Sequence, residues 1–358
     1  MNTGDFHGSV FVLALYDVCE EISLSELRPL IGGRLLTPSF KHTTPGYVRF
    51  ERPPVVESLE PVALESGEQF TGTLQYYDYG VVGVLLRLHY SGSWTDLKKV
   101  ASRWVSSLVF EDLTTQIVRK RLETAHAALC KIYDNWLSED YYIFQMDPCD
   151  LNANDLLRER GEDISQLING EILPLSPTQT AETLQGSMSY YPNDLTVVGW
   201  NAAFVYDAEA AADPTIRIFE YANSQLLQFR HYDELLTREL AEGYRFLESR
   251  RGLLAGWRMR PGATRLRTVL LEITELTERT NNALKFVGDM FSARLYKLCA
   301  SKIGVSEYQA LVQDKLRTAA DLYDFMIERF HQARGFLLES VVVVILMIEL
   351  FFLFSGKR

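Results

Sequence analysis

Phe336 to Phe354 reads FLLESVVVVILMIELFFLF, and this stretch divides the chain. As a helix it is about 28 Å long at 1.5 Å per residue, close to the hydrocarbon thickness of a bilayer. It is apolar all round, without the polar face of a surface helix, which predicts a transmembrane helix. A buried core helix is the competing reading. Phe336, Val341, Val344, Ile348 and Phe354 typify the anchor, and two glutamates interrupt it. Glu339 falls where the helix would meet water. Glu349 lies nearer the far interface, where a carboxylate costs less than at the bilayer centre. The sharper alternative is a partnered Glu349 at a helix–helix contact, which predicts a homo-oligomer. Only Ser355, Gly356, Lys357 and Arg358 follow. The expected arrangement is tail-anchored and single-pass, with the bulk of the chain cytoplasmic.

Working toward the N-terminus, Leu266, Leu270, Ile273, Leu276, Leu284, Val287, Phe291, Leu295 and Leu298 recur mostly at steps of three or four. The spacing predicts one long amphipathic helix that Gly304 stops. Ser306 with Gln309 is a capping-box signature for a second helix, which only Gly335 separates from the anchor. So short a connection makes the two helices antiparallel neighbours, a stalk over 264–335. Leu266 lies 36 residues before Lys302, and Val342 lies 36 residues after Ser306, so Leu266 is expected level with the start of the anchor. That placement would bring a basic patch to the membrane surface. Arg245, Arg250, Arg251, Arg258, Arg260, Arg265 and Arg267 crowd together, with Glu248 the only acid among them and Trp257 in their midst. Basic clusters attract anionic headgroups and tryptophan favours the interface, so Arg250, Arg251, Trp257, Arg258, Arg260, Arg265 and Arg267 are candidate headgroup ligands. A solvated linker over 248–263 and an RNA or ribosome contact are the alternatives.

The region before this alternates strand-like and helix-like patterns. Val10 to Val18, VFVLALYDV, reads as a strand, and Ser23 to Ile31 holds a short helix. Phe70 to Tyr77 and Val81 to Tyr90 read as a strand pair around Asp78-Tyr79-Gly80. Helices follow within Trp94–Val109 and over Leu113–Trp136. The order then recurs: a strand at Tyr141–Gln145, a helix over Asn152–Ile168, a strand pair at Leu184–Tyr191 and Leu195–Tyr206, and helices over Ile216–Arg230 and Asp233–Leu247. Gly72-Thr-Leu-Gln-Tyr-Tyr77 before Val81-Val82-Gly83 is echoed by Gly186-Ser-Met-Ser-Tyr-Tyr191 before Val197-Val198-Gly199. The echo suggests a duplicated βαββ unit. The predicted fold class is α+β: two related βαββ-type units that share a sheet or pack face to face, then a helical hairpin and one transmembrane helix. Boundaries fall at 1–110, a connecting helix 111–138, and 139–247.

The 358 residues carry a formal net charge of -11, which excludes a general polyanion binder. Cys19, Cys130, Cys149 and Cys299 are far apart and form no CxxC pair, which argues against a disulfide framework or a structural zinc. The N-terminus has no basic region before its apolar run, so a signal or transit peptide is not expected. Phosphate-loop, dinucleotide-binding and metalloprotease signatures are absent from the sequence, and the six histidines are scattered. His231 in FRHYDE has the composition of a surface helix. No cofactor, metal or catalytic residue is expected, although acid/base pairs assembled by folding are invisible at this level.

Leu271 to Phe354 resembles the Required-for-Meiotic-nuclear-Division family (Rmd/Sif, domain of unknown function 155). The ARLY segment, the KL…LYDF segment and the LES-VVVVILMIEL anchor carry the resemblance, with Asp78-Tyr79-Gly80-Val81-Val82 and Glu220-Tyr221-Ala222-Asn223-Ser224 as further matches. The resemblance implies a single C-terminal anchor, a non-enzymatic role and, from eukaryotic mitochondrial members, a link to translation with the ribosome as a partner. Without a transit peptide the chain looks like a bacterial-type member at the inner (cytoplasmic) membrane. The leading expectation is a membrane scaffold or tether with membrane lipid and a second copy as partners, its protein partner left open. Its rivals are an enzyme or small-molecule sensor with a pocket between the two halves, and a ribosome tether.

Overall fold

Strand β1 (Asp5–Ile22) is the spine of the fold, and its near-continuous apolar run is that of a strand buried on both faces. The computed structural model describes residues 5–36, 48–50, 52–64, 67–105, 110–248, 259–282, 284–286 and 290–355. After β1 come α1 (Leu24–Ile31), β2 (Leu35–Leu36), β3 (Val48–Phe50), β4 (Val55–Ala63), β5 (Gln69–Tyr76), β6 (Val81–Ser93), α2 (Trp94–Val105) and α3 (Glu111–Ala125). The second half runs β7 (Leu129–Met146), α4 (Ala153–Asn169), α5 (Pro177–Leu184), β8 (Ser187–Met188), β9 (Leu195–Val198), β10 (Ala202–Tyr206) and α6 (Glu209–Glu248). Helix α7 (Met259–Asn282), β11 (Leu284–Phe286), α8 (Met290–Lys302) and α9 (Val305–Ser355) complete the chain.

Nine strands form one sheet in the order β2-β4-β5-β6-β1-β7-β10-β9-β8. The fold is therefore α+β, with both halves contributing to a single sheet through the antiparallel pairing of β1 with β7. On one face Val10, Val12, Ala14, Tyr16 and Val18 of β1 join a core with residues of α1 to α4, including Leu27, Trp104, Val118 and Leu167. Asp17, on the alternate side of β1, meets Gln228 and His231 of α6. Two compact units emerge: residues up to His231 together with Arg279–Tyr308, and Tyr232–Glu278 together with Gln309–Arg358. The proposed division at 110 and 138 therefore falls inside one unit.

The structure corrects several elements. Leu113–Trp136 is not one helix: α3 ends at Ala125 and Leu129 already belongs to β7. No breaker marks the switch. Its cause is long-range pairing with β1, which overrides local helix propensity. Of Leu184–Tyr191 only Ser187–Met188 is strand, pairing antiparallel with β9, because Ser176 caps α5 through the Gln179 amide at 3.2 Å, with Pro177 at the first helical turn, and that helix runs to Leu184. The second hairpin closes within Leu195–Tyr206, as β9 and β10 around Gly199-Trp200-Asn201. Tyr190 and Tyr191 are consequently exposed, whereas Tyr76 and Tyr77 are buried. The expected hairpin β5–β6 is present around Asp78-Tyr79-Gly80. Gly80 there has a φ of 87°, and a Cβ at this position would lie 1.7 Å from the Cys19 carbonyl oxygen.

Beneath this sheet edge, Glu57 is a buried carboxylate. The Tyr76 hydroxyl donates to it at 2.8 Å, with Arg34 Nε at 2.9 Å and Arg121 Nε at 3.4 Å. A buried charge survives only when so surrounded. Tyr76→Phe should therefore cost about 2 kcal/mol in chemical denaturation, the usual loss of a hydrogen bond to a charged acceptor.

The predicted long helix from Leu266 to Leu298 is interrupted. Leu284 lies in β11, which pairs antiparallel with β3, and Val287 lies outside the described residues. In the second unit α6 contacts both other helices. Arg265 on α7 pairs with Glu239 at 2.7 Å and Glu242 at 3.0 Å. Lys315 on α9 reaches Asp233, and Leu322 packs on Gly243. These contacts place Arg265 level with residues near Leu322, so Phe336 lies about 21 Å further along α9 at 1.5 Å per residue. Leu266 is thus not level with Val342. The count assumed one unbroken helix down to the turn, and β11 shortens it.

Candidate functional site

The residues expected to form an anchor lie together on α9. Phe336, Glu339, Val341, Val344, Ile348 and Glu349 lie on α9 and are exposed; Phe354 is on the same helix. This helix is long and apolar enough to cross a membrane, and none of its apolar stretch is buried within the protein. The basic patch divides. Arg250, Arg251, Trp257 and Arg258 lie outside the described residues, and Arg260 lies on α7. Arg265 and Arg267 are exposed, but the charge of Arg265 is engaged by Glu239 and Glu242.

Sequence reasoning missed a polar stripe on α6. Arg217, Glu220, Ser224, Gln228 and His231 recur at helical steps and read as a solvated face. Yet every residue from Ile218 to Phe229 is buried, so the stripe points into the protein. Each member has a partner. Gln75 Nε2 donates to Glu220 at 2.7 Å, and the Tyr77 hydroxyl donates to Gln75 at 2.9 Å. Tyr79 and Ser224 share a hydrogen bond of 2.7 Å. Gln228 donates to Asp17 at 2.8 Å, and His231 Nδ1 stands 2.8 Å from the other oxygen of Asp17 while its ring stacks on Tyr133. His231 is therefore not an ordinary surface residue. Burial pushes the Glu220 carboxyl up to about 7, opposed by the nearby Arg217 guanidinium and the Gln75 amide. The two short motifs, Asp78–Val82 and Glu220–Ser224, meet here through Tyr79 and Ser224.

A cleft of about 230 Å³ opens at the seam where the halves join. Its position follows from register: Ala14 stands opposite Asp140, and Tyr16 opposite Ser138. Residues directly paired across strands share one sheet face. The small side chains of Ala14 and Ser138 leave space between Tyr16 and Tyr142, and Phe110 and Thr114 border it from the start of α3. Tyr16 hydrogen-bonds Thr114 at 2.7 Å, and Thr115 donates to Tyr16 at 3.1 Å. The Tyr142 hydroxyl donates to Asp140 at 3.0 Å, and Arg230 donates to Glu139. Desolvation pushes both carboxyls above the usual range, with Arg230 opposing at Glu139 and the Tyr142 hydrogen bond opposing at Asp140. Perturbed carboxylates in a cleft are a mark of a functional site. A wider cleft of about 480 Å³ beside α1 is more open, and its Arg52 is paired with Asp78 at 3.3 Å. No group of three or more potential metal ligands occurs among the described residues.

Comparison with known proteins gives a family but no activity. A protein of Methanocaldococcus jannaschii, "Uncharacterized protein MJ0711", is 20% identical over 199 residues, covering 56% of this chain and 61% of that relative. The match thus spans about three-fifths of the relative's length. No solved structure matches. The family described as "Uncharacterized protein MJ0711, N-terminal domain" matches residues 7–213, from β1 to the start of α6 and including the seam cleft except Arg230. The chain belongs to this family.

Proposed function

We propose that this protein is a membrane-anchored scaffold or tether that works by binding, with its mass held on the cytoplasmic face. One observation carries the reading: an apolar stretch of bilayer length that the protein does nothing to bury. In water that surface would drive aggregation, and in lipid it is satisfied. The resemblance to the Rmd/Sif family supports the same arrangement and adds a link to translation, with the ribosome as the partner to test first. Glu349 supports self-association through the anchor, since a carboxylate at membrane depth is stabilised by a partner. Membranes washed in alkaline carbonate should retain the full-length protein. Its recovery as a detergent-free soluble monomer would end this reading.

A small-molecule sensor is the second reading, favoured by the perturbed Glu139 and Asp140 in the seam cleft. Binding there would report on both halves of the sheet at once. A headgroup role for the arginines falls mainly to Arg250, Arg251, Arg258 and Arg260, because Arg265 is already paired. Charge neutralisation of those four should weaken binding to anionic liposomes. If it instead abolishes ribosome co-sedimentation, the ribosome tether is favoured.

A further inference from the structure

We propose that the seam cleft binds a small organic ammonium ion, a deepening that rests on the sensor reading. Ala14, Ser138, Tyr16, Tyr142 and Phe110 line the cleft as buried or half-buried side chains, and Asp140 is its exposed carboxylate. Asp140 is solvent-accessible, but enough protein surrounds it that desolvation pushes its carboxyl up. The Tyr142 hydroxyl occupies Oδ2, at 3.0 Å. Arg230, which also lines the cleft, is taken by Glu139. The local balance is therefore negative: Glu111, Glu139 and Asp140 against Arg230 alone.

This is the chemistry that recognises a cation. Aromatic faces attract an ammonium group through their quadrupoles, and a neighbouring carboxylate adds a charge-assisted hydrogen bond. An anion would meet the negative excess, and a neutral guest would leave the desolvated Asp140 uncompensated. Size narrows the class further. The cleft is smaller than the roughly 300–1,000 Å³ of sites for drug-sized ligands, so the guest has few heavy atoms. The lining explains the selectivity. Tyr16 is fixed by Thr114 and Thr115, so the rings do not have to be ordered when the guest arrives.

The test uses the full chain in detergent, titrated with ethylammonium chloride, tetramethylammonium chloride, sodium acetate and glycerol at matched ionic strength. Saturable binding of one or both ammonium salts is expected, read by calorimetry and by a raised melting temperature. Asp140→Asn keeps an acceptor for Tyr142 and should weaken that binding at least tenfold without lowering the melting temperature of the free protein. Ala14→Val, which adds bulk to the lining, should abolish it. Ammonium binding that survives both substitutions overturns the proposal. Saturable binding of acetate or glycerol that Ala14→Val abolishes overturns the ammonium class and leaves the sensor reading standing. If none of the four probes binds, the ammonium proposal falls.

Discussion

Deleting residues 336–358 is expected to move the protein from the membrane pellet to the soluble fraction without unfolding it. The stretch Phe336–Phe354 contains only three residues that are not apolar: Glu339, Ser340 and Glu349. On insertion scales its apolar residues together favour the bilayer by roughly 6 kcal/mol, and the off-centre carboxylates return roughly half of that. A net preference of about 3 kcal/mol corresponds to a partition ratio above a hundred. Because none of the apolar stretch is buried within the protein, its removal takes nothing from either hydrophobic core. The melting temperature of the truncated chain should match that of the full chain in detergent, since changes away from packed features usually stay within about 0.5 kcal/mol. A truncated chain that still sediments with membranes would locate the anchor elsewhere. A truncated chain that is soluble but unfolded would mean that the apolar end of α9 belongs to a core.

The long apolar C-terminal helix and the α+β class were legible because they rest on signals that need no tertiary context. Nineteen residues with three polar positions can be read one by one, and so can the alternation around Asp78-Tyr79-Gly80. What escaped was everything decided by partners distant in sequence. Leu129 to Trp136 has no strand signature of its own; it is a strand because Ile132 pairs with Cys19 and Leu129 with Ile22. The stripe Glu220, Ser224, Gln228 and His231 has the pattern of a solvated face. Only the strand residues Gln75 and Asp17 and the turn residue Tyr79, which lie 145 to 211 positions earlier in the hydrogen-bonded pairs, turn it inward. The seam cleft was foreseen only as a location. Its residues, Ala14, Tyr16, Phe110, Asp140 and Tyr142, come together through one register that no local pattern specifies. The same limit explains the misplaced stalk, where three residues, Leu284 to Phe286, leave the helical period to pair with β3.

Replacing Glu220 by glutamine is expected to flatten the pH dependence of stability and to stabilise the protein above neutral pH. The Glu220 carboxyl is fully buried, and burial raises it from an ordinary 4.5 to about 7. Between these two values the folded state holds a proton that the unfolded state has released. Stability from this group is therefore intact below pH 4.5 and falls as the pH rises toward 7. The difference corresponds to roughly 3 kcal/mol at 1.36 kcal/mol per unit, taken as an upper bound. Glutamine keeps an oxygen to accept from Gln75 and carries no charge to desolvate. Glu220→Gln should thus match the parent near pH 4.5 and exceed it by up to roughly 3 kcal/mol at pH 8, the pull of Arg217 already being part of the balance that leaves the carboxyl at about 7. Arg217 itself retains Asp213 at 2.9 Å, so it is not left without an anion. Glu139 and Asp140 are raised in the same direction and also make the parent less stable as pH rises. They are common to both proteins, so the difference between the two curves isolates Glu220. Chemical denaturation at half-unit steps from pH 4.5 to 8 reads this difference directly. Parallel curves would mean that Glu220 is ionised in the folded protein at pH 5, and that Arg217 rather than burial governs the interface between α6 and the sheet.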